Sequence, residues 1–525
     1  MQMAQKSRNL SVLAVLSGVL ALVAPLSAQD KSQETKPCQW GVAGHNLSNT
    51  WSQAGDHSIN TTNVKGLTTK WVFTTGGDVS ATPTVCGDAV YFPDWGGNLS
   101  AVRASNGSLI WTHKVSDYDG SANSVVRVSP AVDQDNNQLI VGDVLSGSLP
   151  HNGANVMAVD RETGALRWLT QVETHPAAII TGSPVVFGGV AYVGVSSIEE
   201  GLAIPPTYPC CSFRGSVVAL DTKTGAILWK TFDMPDNQGQ PGQYSGGAIW
   251  QPPAIDPARG VLYIGTGNNY DVPADVAACQ DKTPKKSCSA FDDYYDTALA
   301  LDLKTGKVKW AHKLQSFDTW TLACFSPVGT NPNCPVPNSP DYDLGGAGPN
   351  LVGNVVGFGQ KSGIFWALDA DTGKILWSTP VGPGGNLGGI EWGTASDGER
   401  VYVAIANYLS RPYTLVPSGQ HITWGAWSAL DLRTGKILWQ TADPTPNTID
   451  RGSVSVANGV MYAGSNSGAM YAFDAASGTI LWSFASGGTV IDGPSIVEGT
   501  LYWGSGYANL DGTANHKLYA FTLSK

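Results

Sequence analysis

The chain has 525 residues, with 42 acidic against 31 basic side chains and a formal net charge of −11. Such an acidic balance argues against nucleic acid and anionic membrane as partners, because both are polyanions. It would suit a basic electron-carrying partner. The 62 glycines and 31 prolines, without helical periodicity, indicate many short strands and turns.

Residues 1–28 read as a secretory leader. Lys6 and Arg8 give a positive start, Leu10 to Leu22 an apolar stretch, and Pro25-Leu26-Ser27-Ala28 a small-residue exit. The apolar run is shorter than the roughly 20 residues of a spanning helix, which favours cleavage over an uncleaved anchor. The expectation is a periplasmic or secreted protein, with residues 29–525 forming one domain. Cleavage would remove two positive charges and take the net charge from −11 to about −13. The polar segment Trp40 to Thr50 is expected to cover that domain, with His45 and His57 in structural roles because neither has a partner at metal-ligand spacing.

From there an eleven-residue phrase returns throughout the chain: Ala-Leu-Asp-x-x-Thr-Gly-x-x-x-Trp. Clear copies run Ala219 to Trp229, Ala300 to Trp310, Ala367 to Trp377 and Ala429 to Trp439, and looser ones Ala101 to Trp111, Ala158 to Trp168 and Ala472 to Trp482. Ala-Leu ends a short apolar strand, and Asp-x-x-Thr-Gly makes a hairpin turn in which Gly supplies the positive φ. The Trp opens the burial of a large ring on the next strand. One such unit cannot bury both faces of its sheet, so the units must stack. Trp71 stands earlier with no turn before it, and Lys517-Leu518-Tyr519-Ala520-Phe521 is a strand with no Trp after it. Pairing these two predicts an all-β, eight-bladed propeller of four-stranded antiparallel blades, closed by its two terminal strands.

Between the copies lie segments with chemical potential. Glu199 and Glu200 follow the apolar run Val193 to Ser197, and Cys210-Cys211 follows shortly after. Trp250 ends Tyr244 to Trp250, and Gly265-Thr266-Gly267-Asn268 offers an amide oxygen suited to a hard cation. Asp318, Asp341 and Asp343 precede the strand from Pro349, and Lys361 sits before another apolar run. Eight cysteines in an exported chain point to disulfides, and sequence proximity pairs Cys279–Cys288, Cys324–Cys334, Cys210–Cys211 and, by elimination, Cys38–Cys86. No Cys-x-x-Cys-His is present, so no covalently attached c-type haem is expected.

The repeated phrase resembles the tryptophan-docking blades of the quinoprotein alcohol dehydrogenases, and the segments Trp40 to Thr50, Pro209 to Ser216 and Phe317 to Leu344 look most like the polyvinyl-alcohol dehydrogenase branch. The resemblance implies pyrroloquinoline quinone (PQQ) and Ca2+ on the propeller axis. It implies Trp250 as the floor under the quinone, Glu200 of Ser196-Ser197-Ile198-Glu199-Glu200 and Asn268 as metal ligands, and Lys361 as the cation at the quinone oxygens. Ser197, Arg127 and the Cys210–Cys211 pair are expected at the cofactor. Asp343 is the first expected general base, with Asp341 second and Asp318 third. The implied activity is oxidation of a secondary alcohol to a ketone, with a separate cytochrome c as acceptor. Competing readings are a non-catalytic scaffold of envelope-protein assembly and a quinoprotein acting on sugars or primary alcohols.

Overall fold

Each copy of the phrase folds as the outer half of a blade, and the third shows how. In the computed structural model Ala219 pairs with Trp229 across an antiparallel ladder that slips by one residue at Leu220. Asp221 Oδ1 accepts from the backbone N–H of Thr224 (2.8 Å) and from its hydroxyl (2.7 Å), while Gly225 takes φ +73°. Asp160, Asp302, Asp369 and Asp431 make the same paired bonds to the threonine three residues on. The structure describes residues 38–145, 153–282, 288–336, 339–344 and 346–524, so the expected leader at 1–28 lies outside the described residues.

The tryptophans then join the blades. Trp229 Nε1 donates to Leu303 O of the next blade at 3.0 Å. Its six-membered ring lies under Gly306, where a Cβ would come within 2.5 Å of Trp229 Cε3. The Gly of the phrase therefore has two duties: it turns the hairpin and it leaves room for the preceding blade's indole. The same donation runs from Trp71 to Ala104, Trp111 to Arg161, Trp168 to Thr222, Trp310 to Ala370, Trp377 to Leu432 and Trp439 to Ala475. Trp482 completes the circuit by donating to Leu67 O, on the strand that opens the domain.

The result is eight blades of four strands each, the third extended by a fifth short strand, Ala178–Ile179, which pairs with the end of Val190–Ser197. Blades 1 to 7 begin on the inner strands Thr84–Cys86, Ala131–Asp133, Val185–Phe187, Ala254–Asp256, Ala347–Val352, Ala395–Ser396 and Val454–Ala457. Blade 8 takes Ser495–Val497, Thr500–Ser505 and Lys517–Leu523 from the C-terminal end and Leu67–Thr74 from the N-terminal end. The ladder between those last two runs from Leu67↔Leu523 to Thr74↔Lys517, the closure read from the sequence.

One end of the axis is covered by the segment before Trp71. Trp40 exchanges backbone hydrogen bonds with Val85. Gly41, Leu47, Ser48, Thr50 and Trp51 then present carbonyls to Val132, Ile255, Leu351, Ser396 and Val456, all on inner strands of different blades. His45 packs on Trp40 with ring centroids 4.8 Å apart, and burial lowers its pKa to about 4, which keeps it a neutral structural ring. The four disulfides pair as read from the sequence, Cys38–Cys86 tying this segment to blade 1.

Candidate active site

Five blades enter their inner strands through a residue at one common register position. Arg127, Thr181, Trp250, Trp392 and Arg451 each stand two positions before a small or proline residue: Ser129, Ser183, Pro252, Thr394 and Ser453. The repeat thus delivers a ring of side chains whose identities differ while their placement is constant. Arg127, Thr181, Trp250 and Trp392 line two cavities. The narrow one, about 70 Å³, faces the N-terminal segment at Ala43 and Trp51. The wider one, about 330 Å³, adds Ser197, Glu200, Tyr270, Leu322, Asp343, Lys361, Glu391 and Tyr507. Trp250 is the shared partition. Gly346 lets it lie flat against the backbone, since a Cβ there would stand 2.6 Å from Trp250 Cη2.

Over this indole sits Lys361, its ammonium 5.6 Å from the ring centroid. Its Nζ is 2.7 Å from Asp343 Oδ2 and 3.1 Å from each oxygen of Asp341. Burial works against the ammonium, but Asp341, Asp343 and Glu200 outweigh it and hold the pKa well above its ordinary value. The other oxygen of Asp343 accepts the backbone N–H of Asn268 at 2.7 Å. The Asn268 amide nitrogen is committed to Asn269 O (3.0 Å) and Trp320 O (2.8 Å), which leaves its amide oxygen as the acceptor.

The adjacent glutamates divide their labour. Glu199 points into the protein and accepts from Tyr208 OH (3.1 Å) and from the backbone of Ser212 and Phe213, so it anchors the loop that follows. Glu200 lines the wider cavity, and its buried Oε1 has no hydrogen-bond partner among the described residues. Burial first, then Asp341 and Asp343, push its pKa well above the usual carboxylate range. A buried carboxylate oxygen without a donor is costly unless a cation or a proton meets it.

Of the three aspartates weighed as base, Asp343 alone lines the cavity. Asp341 stands behind it on Lys361. Asp318 turns elsewhere: its Oδ2 accepts the Tyr342 N–H at 2.6 Å, and its side chain meets that of Asp296. Burial, and next Asp296, raise its pKa well above the ordinary value. The structure thus brings Arg127, Ser197, Glu200, Trp250, Asp343 and Lys361 to one cavity and puts Asn268 and Asp341 directly behind it. The Cys210–Cys211 disulfide is outside that lining. It belongs to the apolar cluster that also contains Phe213, Tyr270 and Ala323.

On the opposite wall sequence reasoning expected Arg127 but missed its neighbours Trp95, Trp392, Tyr507 and Arg451. Arg127 lies 5.8 to 5.9 Å from the ring centroids of Trp95, Trp392 and Tyr507. Behind Trp392 is Arg451, fully buried, 2.9 Å from Asp511 and 3.8 Å from Glu391. Its Nε and Nη1, like Glu391 Oε2, have no hydrogen-bond partner among the described residues. The shared place of Arg127, Trp250, Trp392 and Arg451 in the repeat was the available signal.

The chain is thus a tryptophan-docked, eight-bladed propeller whose axial cavity joins an indole, cationic side chains and a carboxylate. Residues 40–324 match the family model described as "Glucose/ethanol/alcohol dehydrogenase, beta-propeller domain", a PQQ family, and residues 425–522 match that of the outer membrane protein assembly factor BamB. The polyvinylalcohol dehydrogenase of Sphingopyxis sp. (strain 113P3) is 32% identical, the match covering 95% of this chain and 79% of the relative. One from Pseudomonas sp is 30% identical, with 93% and 77% covered. The quinohemoprotein alcohol dehydrogenase from Comamonas testosteroni shares the fold, with a TM-score of 0.68 at 20% identity over 92% of this chain and 80% of that one. The chain belongs to the PQQ-dependent alcohol dehydrogenase family and is an oxidoreductase.

Proposed function

We propose that the protein oxidises secondary alcohols, including those of a polyvinyl-alcohol-like polymer, to ketones with PQQ and Ca2+, and delivers the electrons to a separate cytochrome c. The observation that carries this reading is Asp343: a carboxylate facing the axial cavity, set between the Lys361 ammonium and the Asn268 N–H, above an indole floor.

The residues fit the two groups. A planar, multiply anionic quinone suits the flat Trp250 between Lys361 and Arg127, which both line the same cavity. A hard cation suits Glu200, whose buried Oε1 lacks a partner among the described residues, and the amide oxygen of Asn268, whose nitrogen is already committed. When bound, PQQ supplies the acceptor for the electron pair and Ca2+ the Lewis acidity that polarises it. The chain's own residues do the rest. Trp250 and the cations orient the cofactor, and Asp343 takes the alcohol proton as general base. Lys361 offsets the charge of Asp343 and Asp341 so that the buried carboxylates stand side by side. Its ammonium, 5.6 Å from the indole centroid, would donate to an oxygen of the quinone if PQQ were bound.

The eight cysteines form four disulfides. The disulfides support an oxidising compartment, and hence export. The scaffold reading has the match at residues 425–522 in its favour, but that stretch contains none of Glu200, Trp250, Asp343 and Lys361. The direct test adds PQQ and Ca2+ to the purified protein and follows reduction of an artificial dye with a panel of secondary alcohols, primary alcohols and sugars. Dye reduction that needs both additions and prefers secondary alcohols is the expected result. Quinone-independent behaviour, with no quenching of tryptophan fluorescence on PQQ addition, would refute it.

A further inference from the structure

Two loops leave the cavity wall side by side and end in exposed apolar side chains. The short helix Glu199–Leu202 carries the cavity-lining Glu200 in its first turn and leads on to Ile204. The single 3-10 turn Leu322–Phe325 starts at the cavity-lining Leu322 and runs on to Val328. Asn331 Nδ2 donates to Ile204 O (2.8 Å), and Asn333 Nδ2 reaches Ala203 O, Pro205 O and Tyr208 O at 3.0 to 3.1 Å. Cys324–Cys334 closes the second loop, and Glu199 pins the first from inside. The two are therefore stapled into one rigid lip, and its surface is apolar: Ile204 is 50%, Phe325 59% and Val328 71% exposed.

The lip is also without charge. In a chain that is 14% charged, the runs 201–213 and 319–340 contain no Asp, Glu, Lys or Arg. A basic protein partner would need acidic side chains here, and an anionic surface would need basic ones. A neutral occupant with an aliphatic backbone needs neither. We infer that this lip is a docking surface for an extended, neutral polyhydroxylated chain with methylene spacing, which lies across Ile204, Phe325 and Val328 while one of its hydroxyl carbons enters the cavity. The inference rests on the alcohol-oxidising reading and names the form of its substrate. A small alcohol sits wholly inside the cavity and has no use for the lip. A polymer can bury its methylenes on the apolar side chains, and the prolines and the disulfide that fix the loops lower the entropy lost when it binds.

The test uses the full chain with Phe325→Ser and Val328→Ser combined, and Ile204→Ser as a second variant. All three positions are exposed, and circular dichroism checks the fold. In native gels cast with polyvinyl alcohol, with no cofactor added, the wild type should be retarded and the variants should lose most of that retardation. In the cofactor-loaded enzyme, KM for the polymer should rise about tenfold with kcat held, while kcat/KM for a small secondary alcohol stays unchanged. Unchanged retardation and KM in both variants would overturn the inference, and so would equal losses on polymer and small alcohol. A wild type that is retarded yet oxidises no alcohol would sink the catalytic reading and leave the lip standing. A wild type that oxidises alcohols without retardation would sink the lip alone.

Discussion

Lys361 Nζ lies 2.7 Å from Asp343 Oδ2 and 3.1 Å from both oxygens of Asp341, so one buried ammonium serves two carboxylates only two residues apart. The two partners are unequal. Asp343 faces the cavity and Asp341 faces only the protein, although they neighbour each other in sequence and share a cation. That asymmetry separates a base from a support.

Asp343→Asn should therefore lower kcat by roughly 10² to 10⁴ with KM little changed, since general-base catalysis contributes on that scale. Quinone binding, read by tryptophan quenching, should survive, because Trp250, Lys361 and Arg127 remain. Asp341→Asn should cost clearly less. Steady-state kinetics on the two variants decide it: a larger loss in Asp341→Asn would move the base to Asp341.

For the cation, Glu200→Gln removes the charge at a buried oxygen that has no protein donor. Calcium retained after exhaustive dialysis, measured by atomic absorption in the quinone-loaded protein, should fall to background in this variant. Asn268→Asp keeps an oxygen at the ligand position and should retain the metal. Equal calcium in Glu200→Gln and wild type would remove Glu200 from the ligand set.

Much of this was legible in the sequence, for a physical reason. A docked blade needs Asp and Thr to tie the turn, Gly to clear the indole and Trp to cross to the next blade, so the constraint repeats as text. Even the closure of blade 8 was readable, because Trp71 lacked a turn and Lys517 to Phe521 lacked a Trp. The axial site obeys the opposite rule. Its entry positions must differ from blade to blade to make one asymmetric cavity, so Trp392 and Arg451 carried no motif of their own. Asp318 shows the limit of motif reading: its Asp-x-Trp spacing is kept, yet its carboxyl serves Asp296 and the Tyr342 N–H away from the cavity. Likewise the pairing of Cys210 with Cys211 was readable while its place outside the cavity lining was not.

The double duty of the repeat glycine can be separated by substitution. Gly435 takes φ +71°, and a Cβ there would overlap the ring of Trp377. Gly353 also has positive φ, at +59°, but nothing lies within 4 Å of the added atom. Gly353→Ala should cost only the backbone term, about 1 to 2 kcal/mol. Gly435→Ala adds a steric clash and disturbs the bond from Trp377 Nε1 to Leu432 O, so its loss should be larger by about 1 to 3 kcal/mol. Urea denaturation of the two proteins measures the difference. Equal losses would mean that the indole does not dock through this glycine.

The last prediction concerns pH and a carboxyl outside the axial cavity. Asp233 is buried against the backbone of Gly215 and Gly247, and neither of its oxygens has a hydrogen-bond partner among the described residues. Burial, then the neighbouring Asp293, raise its pKa well above 3.8, against the weaker opposing pull of Arg214. Asp293 itself is raised to about 6, chiefly by burial. A carboxyl raised in the folded state keeps its proton there and releases it on unfolding once the pH exceeds its ordinary value. Its contribution is therefore greatest at low pH and is lost as the pH rises from about 4 through the neutral range. Asp233→Asn places a neutral isostere in the same space and removes that loss. Its Tm should match the wild type near pH 4 and exceed it by about 2 °C or more at pH 7.5. Calorimetry at the two pH values reads the comparison directly. A variant that is less stable than the wild type at pH 7.5 would show that Asp233 is ionised in the folded protein and held by a cation or a donor.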